Sequence, residues 1–320
     1  MKLFLLLIFY GFNSIYALDK KSKVDPPPKL LIISLDGFRH EYLTRFPHLE
    51  LKNFKRFLSQ GVGANGMIPV FPSVTQVNHQ SIVTGLYPET HGIVSNSFYD
   101  PVLKEYFHPY KYTYQMRDPK WYSTGAIPIW VTNNLDQSQK RSTGVYCWPN
   151  SMSTYNGHSI NPKFYVPVTD SDNLDFQTGI DKVLEWYRDP SEPVNLALLY
   201  YPTLDTIGHL TGTNSSELHH ELLGIDTQLG YLLDKVEADP DLRKDLNIII
   251  VSDHGMNDFL YTPEFDKVIL MNHVLDDSSY IASNKVAFAI TPYDNSSMSK
   301  SNLLVHNNFD YRQIILMFNL

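Results

Sequence analysis

The sequence predicts an α/β fold, a mostly parallel central sheet flanked by helices, and three observations carry that expectation. Apolar runs recur at Lys29–Leu35, Asn195–Tyr201 and Leu246–Ser252, apolar on both faces as strands inside a parallel sheet are. Between them lie stretches with helical spacing, the alternation that covers such a sheet on both sides. Each run also leads into polar, chemistry-bearing residues: Asp36, then Asp205 with His209, then Asp253 with His254. Open α/β sheets place ligands beyond the carboxyl ends of their strands, so these acids and histidines are expected to converge on one edge.

The elements follow in order. Residues 1–17 read as a signal peptide, with Lys2 as the positive start, Leu3–Phe12 as the apolar run and Ser14–Ala17 as the small-residue cleavage site. That run is shorter than the ~20 apolar residues that span a bilayer, so cleavage is expected rather than anchoring. Residues 18–28 are a charged, proline-rich spacer, and 29–320 form one domain. Leu49–Leu58 has helical spacing and is expected to end at a glycine cap near Gly61. Thr75–Thr84 is expected to be a helix closed by Gly85, and Phe176–Tyr187 a helix before the second strand. Glu217–Val236 is strongly amphipathic, with Leu218, Leu222, Ile225, Leu229 and Leu232 on one face. The domain stops in the apolar run Phe309–Leu320 without a closing element, so truncation at the C-terminus is expected.

Composition narrows the function. With 43% apolar and 19% charged residues a sizeable core can form. A formal charge of −8 argues against nucleic-acid binding, which rests on surplus Lys and Arg at phosphates. Small anionic substrates remain open, because buried metal ions can hold phosphate under an acidic surface. The leader and the sequons Asn214-Ser215-Ser216 and Asn295-Ser296-Ser297 point to a secreted chain or the extracellular face of the cell surface, glycosylated at Asn214 and Asn295. A membrane anchor is expected only in a longer form. The single cysteine, Cys147, lies in the apolar run Gly144–Trp148 and reads as a buried strand residue rather than a nucleophile.

Asp and His together are a zinc donor set. Asp205 and His209, four apart, share one face of a helical turn. Asp253-His254 sets two donors side by side at a strand end, with Gly255 to let the chain turn. Each piece has a plainer reading, as a helix cap or as Asp-Gly turn chemistry at Asp36-Gly37; their joint occurrence at successive strand ends favours a metal site. Thr75 falls near a helix start after Pro72, where its hydroxyl is either an N-cap or a metal-activated nucleophile.

These residues resemble a known family. Leu35–Arg39, Phe71–His79, Ser81–Ile93, Asp205–His209 and Ser252–Met256 look, in order, like the motifs of nucleotide pyrophosphatase/phosphodiesterases. The resemblance implies an alkaline-phosphatase-like fold carrying two Zn2+ and a phosphodiesterase catalytic domain over 29–320. It implies that Asp36, Thr75, Asp253 and His254 hold one zinc and Asp205 and His209 the other. Thr75 would attack phosphorus and form a phosphothreonine that water hydrolyses, and Asn96 would hydrogen-bond a phosphoryl oxygen. A neutral donor there suits a diester, which carries less charge than a monoester. Substrates would be extracellular nucleotides or related small phosphodiesters.

The sequence departs from the family in three ways. A further zinc-binding histidine, in an Asn-His-Gly-Tyr context, is expected beyond residue 320; the late histidines His273 and His306 lack that context. Gln76 stands where many nucleotide-cleaving members carry an aromatic residue, and Val168 where a base-stacking tyrosine is expected. Two alternatives follow: a secreted, catalytically impaired form lacking one zinc ligand, and a hydrolase of choline-type glycerophosphodiesters.

Overall fold

The computed structural model describes residues 27–136, 140–168, 175–258, 280–283 and 289–292. The expected leader, most of the spacer, the Asn295 sequon, His273, His306 and the run Phe309–Leu320 lie outside the described residues. From the amino end come β1 (Lys29–Leu35), α1 (Tyr42–Arg45), α2 (Lys52–Ser59), α3 (Thr75–Thr84) and α4 (Pro88–His91). A hairpin of β2 (Phe98–Asp100) and β3 (Glu105–Phe107) leads to α5 (Ile129–Leu135), β4 (Thr143–Tyr146) and β5 (Tyr165–Val166). Then follow α6 (Phe176–Tyr187), β6 (Leu196–Tyr201), α7 (Thr203–Thr211), α8 (Ser216–Glu237), α9 (Pro240–Asp245) and β7 (Leu246–Val251), with a second hairpin of β8 (Tyr280–Ser283) and β9 (Ala289–Pro292).

The main sheet has the order β5-β4-β6-β1-β7, and every pairing in it is parallel. β1 lies between β6 and β7, so both its edges are paired, and both its faces are covered: Leu31, Ile33 and Leu35 are buried on one and Ile32 and Ser34 on the other. Each such side chain contributes about 1.5–3 kcal/mol. β6 is buried throughout. By contrast, β7 was expected to be fully buried and is not: Ile249 is 45% exposed. It is an edge strand among the described residues, paired on one side only.

Helices pack on the sheet through the faces their spacing dictates. On α8 the expected stripe of Leu218, Leu222, Ile225, Leu229 and Leu232 is buried. Asp226 lies buried on the same helix and accepts the N–H groups of Asn53 and Phe54 at 3.0 and 2.8 Å. It thereby caps α2, whose own N-cap residue, Leu51, makes no side-chain cap. Ser215 and Asp175 cap α8 and α6 by accepting from Leu218 and Thr178. The expected helix over Leu49–Leu58 starts later, at Lys52. Pro47 opens a separate 3-10 turn, and Glu50 then breaks the path in the left-handed region. Its expected glycine cap is absent too: α2 ends at Ser59 with Gln60 in a right-handed conformation. Gly85, with φ +69°, does close α3. Cys147 is buried as expected, one residue past β4, with its thiol against the Pro167 carbonyl at 3.5 Å.

Candidate active site and metal centre

Register brings the strand ends level. Ser34 pairs with both Tyr200 and Val251, so Asp36 and Asp253 emerge side by side from β1 and β7. Both are buried, at 2% and 0% exposure. Asp253 Oδ1 accepts the N–H of Gly37 at 3.2 Å and of His254 at 2.9 Å. Tyr200, at the equivalent level of β6, donates its hydroxyl to Asp36 Oδ2 at 2.5 Å. Ser252 Oγ accepts from Phe38 N and donates to the His254 carbonyl, which ties the two strand-end loops together.

His254 is set by the same logic. Its Nδ1 lies 2.9 Å from the Gly255 carbonyl, which only accepts, so Nδ1 carries the proton and Nε2 presents a lone pair. That Nε2 stands 3.5 Å from Asp36 Oδ1, 3.2 Å from Asp253 Oδ2 and 3.4 Å from Thr75 Oγ1. The donor atoms of Asp36, Asp253 and His254 all lie within 4.8 Å of one another, a group that could hold a metal ion.

Thr75 is the first residue of α3, and the N-cap is Val74, which makes no side-chain cap. Its hydroxyl is therefore not spent capping the helix. Asn78 fixes the approach: its Nδ2 donates to the carbonyls of Pro72 and Val74 at 3.2 and 3.1 Å, and its Oδ1 accepts from Val70 N at 2.8 Å. Asn96 reaches the same helix start, where its Oδ1 accepts Gln76 N at 2.8 Å and its amide nitrogen is left to donate elsewhere.

Asp205 and His209 stand four apart on α7, with His209 Nε2 3.5 Å from Asp205 Oδ1. Gly37 brings this pair up to the strand ends. Its φ is +66°, and a β-carbon there would meet Asp205 Cα, Cβ and Oδ1 at 3.0 Å. The loop after β7 is held against α7 by Asp258, which accepts from Thr213 N and Oγ1 at 2.7 Å. Asp36, Thr75, Asp253 and His254 thus gather at one edge with Asp205 beside Gly37, whereas His209 stands on the exposed side of α7 and neither it nor Asp205 joins the compact donor group. Asn214, of the sequon before α8, is exposed on the surface.

The electrostatics ask for a cation. Asp36 Oδ1, Asp205 Oδ1 and Asp253 Oδ2 are buried without a hydrogen-bond partner, which is costly for carboxylate oxygens. Burial, then the neighbouring Asp253 and Asp205, push the Asp36 carboxyl well above its ordinary range. A bound ion would supply the missing partner and reverse that shift. Carboxylates with an Nε2-presenting imidazole suit a zinc-like ion, so the residues fit such a group.

Sequence reasoning missed Tyr200 and Ser34 as supports of these residues, and read Ser252 and His79 only as members of motifs, with no role of their own. Tyr200 and Ser34 sit inside apolar runs and read as strand core, and no spacing rule links them to Asp36. Beside the site a cavity of about 50 Å³ is lined by Gln76, Tyr110, Met116, Pro149, Asn150, Met152, Val168 and Tyr200. Gln76 and Val168, both singled out in the sequence, face the same space. A larger cavity of about 350 Å³, lined by Lys29, Tyr187 and Arg188, opens at the start of β1 and holds none of these residues.

The chain has clear relatives. Bis(5'-adenosyl)-triphosphatase ENPP4 of Bos taurus is 36% identical over 310 residues, covering 95% of this chain and 63% of the relative. The Homo sapiens protein of that name is 35% identical over 283 residues, covering 88% of this chain. This chain spans 57–63% of the length of these relatives. Among solved structures, murine ectonucleotide pyrophosphatase/phosphodiesterase 5 superposes with a TM-score of 0.75 at 29% identity, covering 91% of this chain and 74% of the other. An inactive form of that murine protein, in complex with AMP, matches equally well. The fold is accordingly the alkaline-phosphatase-like one. Residues 30–312 match the family described as type I phosphodiesterase/nucleotide pyrophosphatase, and the chain belongs to that family.

Proposed function

We propose that this chain hydrolyses phosphodiester or pyrophosphate bonds in extracellular nucleotides or related diesters, with Thr75 as nucleophile at a two-zinc site. The observation that carries the reading is the Thr75 hydroxyl, free of capping duty and 3.4 Å from His254 Nε2, beside carboxylate oxygens that lack partners. Family membership supports it, as do relatives named for dinucleoside triphosphate hydrolysis and a related structure solved with AMP.

In this reading Asp36, Thr75, Asp253 and His254 would hold one ion, and Asp205 and His209 the other. Bound zinc would lower the pKa of the hydroxyl and offset charge on the phosphoryl oxygens. Thr75 Oγ1, its proton released to solvent, would form a bond to phosphorus as the bond to the leaving oxygen breaks; water would then attack phosphorus, break the P–Oγ1 bond and return a proton to the hydroxyl. The Asn96 amide, oriented by Gln76 N, donates to a phosphoryl oxygen. An extracellular setting is supported by the leader-like start and the exposed Asn214.

A second reading rests on the openness of the second position. Among the described residues Asp205 and His209 are its only assigned donors, whereas catalytic zinc usually has three protein ligands. Zinc content measured with hydrolysis of a chromogenic phosphodiester, for wild type and Thr75→Ala, separates the two. About two zinc ions per chain and Thr75-dependent turnover support the enzyme; one ion and no such turnover support the impaired form. Competition between ATP and a glycerophosphodiester then distinguishes a nucleotide substrate from a choline-bearing one.

A further inference from the structure

We propose that His79 is a positioning residue that holds Thr75 and Asp253 in mutual register; it rests on the reading of Thr75 as nucleophile. His79 lies one turn into α3 and is fully buried. Its Nδ1 is 2.8 Å from the Thr75 carbonyl oxygen and 3.5 Å from Asp253 Oδ2. Both of those oxygens accept only, so Nδ1 carries the proton that faces them. On its far side Nε2 is 2.9 Å from Ser34 Oγ, the hydroxyl of β1 two residues before Asp36. One ring therefore touches the nucleophile's helix, the strand that delivers Asp36, and Asp253, two residues beyond β7.

The ring has little freedom to leave this arrangement. Trp148 and Tyr200 meet it edge-on, with centroids 5.2 and 4.9 Å away and planes at 82° and 87°. Tyr200 also donates to Asp36. An apolar side chain would fill this space without the cost of burying polar atoms. What the imidazole adds is direction: its donor is aimed at the main chain of Thr75 and at the Asp253 oxygen that lacks a hydrogen-bond partner. A shift of the ring would move the Thr75 hydroxyl relative to the acid beside it, and misplacements of this size are costly in oriented reactions.

The test compares His79→Asn, His79→Gln and His79→Phe in the purified, zinc-loaded chain. Asn sets its amide nitrogen near the Nδ1 position, Gln near Nε2, and Phe keeps the shape alone. His79→Phe is expected to lower kcat about 10–100-fold, while KM for bis(p-nitrophenyl) phosphate changes less than about 3-fold. His79→Asn should recover about tenfold of that loss and hold zinc against a chelator as wild type does, whereas His79→Gln should do neither. Equal kcat and equal zinc retention in the Asn and Gln variants would overturn the proposal, as would a His79→Phe enzyme within about 3-fold of wild type. Should His79→Phe fail to fold, the Asn–Gln contrast still decides. Should wild type show no Thr75-dependent turnover, the proposed function falls, and zinc retention in the Asn and Gln variants decides the role of His79 separately.

Discussion

Asp36, Asp253 and His254 are planted at the ends of sheet strands, whereas Asp205 and His209 ride on a helix whose outer side meets solvent. The side chains of Asp253 and His254 are 0% and 11% exposed, and that of His209 is 67% exposed. Around the first group every element supplies a brace: Tyr200 from β6, the Gly37 N–H beyond β1, Ser252 and Gly255 beyond β7. The second group has its helical spacing and the press of Gly37 against Asp205. One group is braced by hydrogen bonds from several strand ends; the other takes its geometry from a single turn of helix. Preorganised donors lose less freedom on binding, so the interior position should bind first and tighter.

The largest expected effect tests whether chemistry belongs to the interior group. Thr75→Ala should reduce turnover of a chromogenic phosphodiester by about 10³-fold or more, as removal of a nucleophile does, with an unchanged far-UV circular dichroism spectrum. Next come the two halves against each other. If the two-zinc reading holds, His209→Ala should weaken the second ion by more than the roughly 10–100-fold that loss of an outer-shell partner brings, and leave thermal stability unchanged. Asp253→Ala should abolish binding at the interior position and lower the melting temperature as well, because Gly37 N and His254 N lose their acceptor. Equal losses in the two variants, read by zinc titration and melting, would erase the contrast. Gly37→Ala bears on the junction: the left-handed backbone alone costs about 1–2 kcal/mol, and the new methyl presses on Asp205. Its zinc loss should therefore fall at the second position, which a competition titration reads.

The smallest expected effect is a pH dependence confined to the metal-free protein. The Asp36 carboxyl is raised in the fold, so the folded chain holds a proton that the unfolded chain has already released. Stability is then lost as pH rises above the ordinary carboxylate value of 3.8 and through the raised one. Urea unfolding of chelated wild type and Asp36→Asn should show the mutant gaining on wild type as pH increases. Zinc should remove the difference in slope, since the ion replaces the proton.

Much of this was legible in the sequence, for reasons that differ by residue. β1 and α6 have the bounds their patterns predict, because apolar runs and helical spacing there face a continuous core. α2 begins late and β7 is half-open, because a left-handed Glu50 and an edge position are tertiary facts that local pattern does not encode. Asp36, Asp253 and His254 were legible as acids and a histidine closing apolar runs, and the motif from Phe71 to Ile93 carried the resemblance that family membership now supports. Tyr200 and Ser34 were not, and His79 was legible only as a member of that motif, without its role. A hydroxyl or an imidazole inside a buried run has no signature until register shows which carboxylate it meets.

The pairing of β1 with β7 has a consequence in time. Gly37 N and Asp253 Oδ1 bond across 216 positions of chain. At synthesis rates of ~5–20 residues per second the first strand waits on the order of ten to forty seconds for its partner. Loop-closure entropy must be met before any such long-range contact returns energy. β1 therefore spends that interval with the edge destined for β7 unpaired, and the cluster of Asp36, Asp253 and His254 cannot exist before it ends. A nascent chain that stops short of Asp253 can own Thr75, Asp36, Asp205 and His209 and still lack the place where they converge.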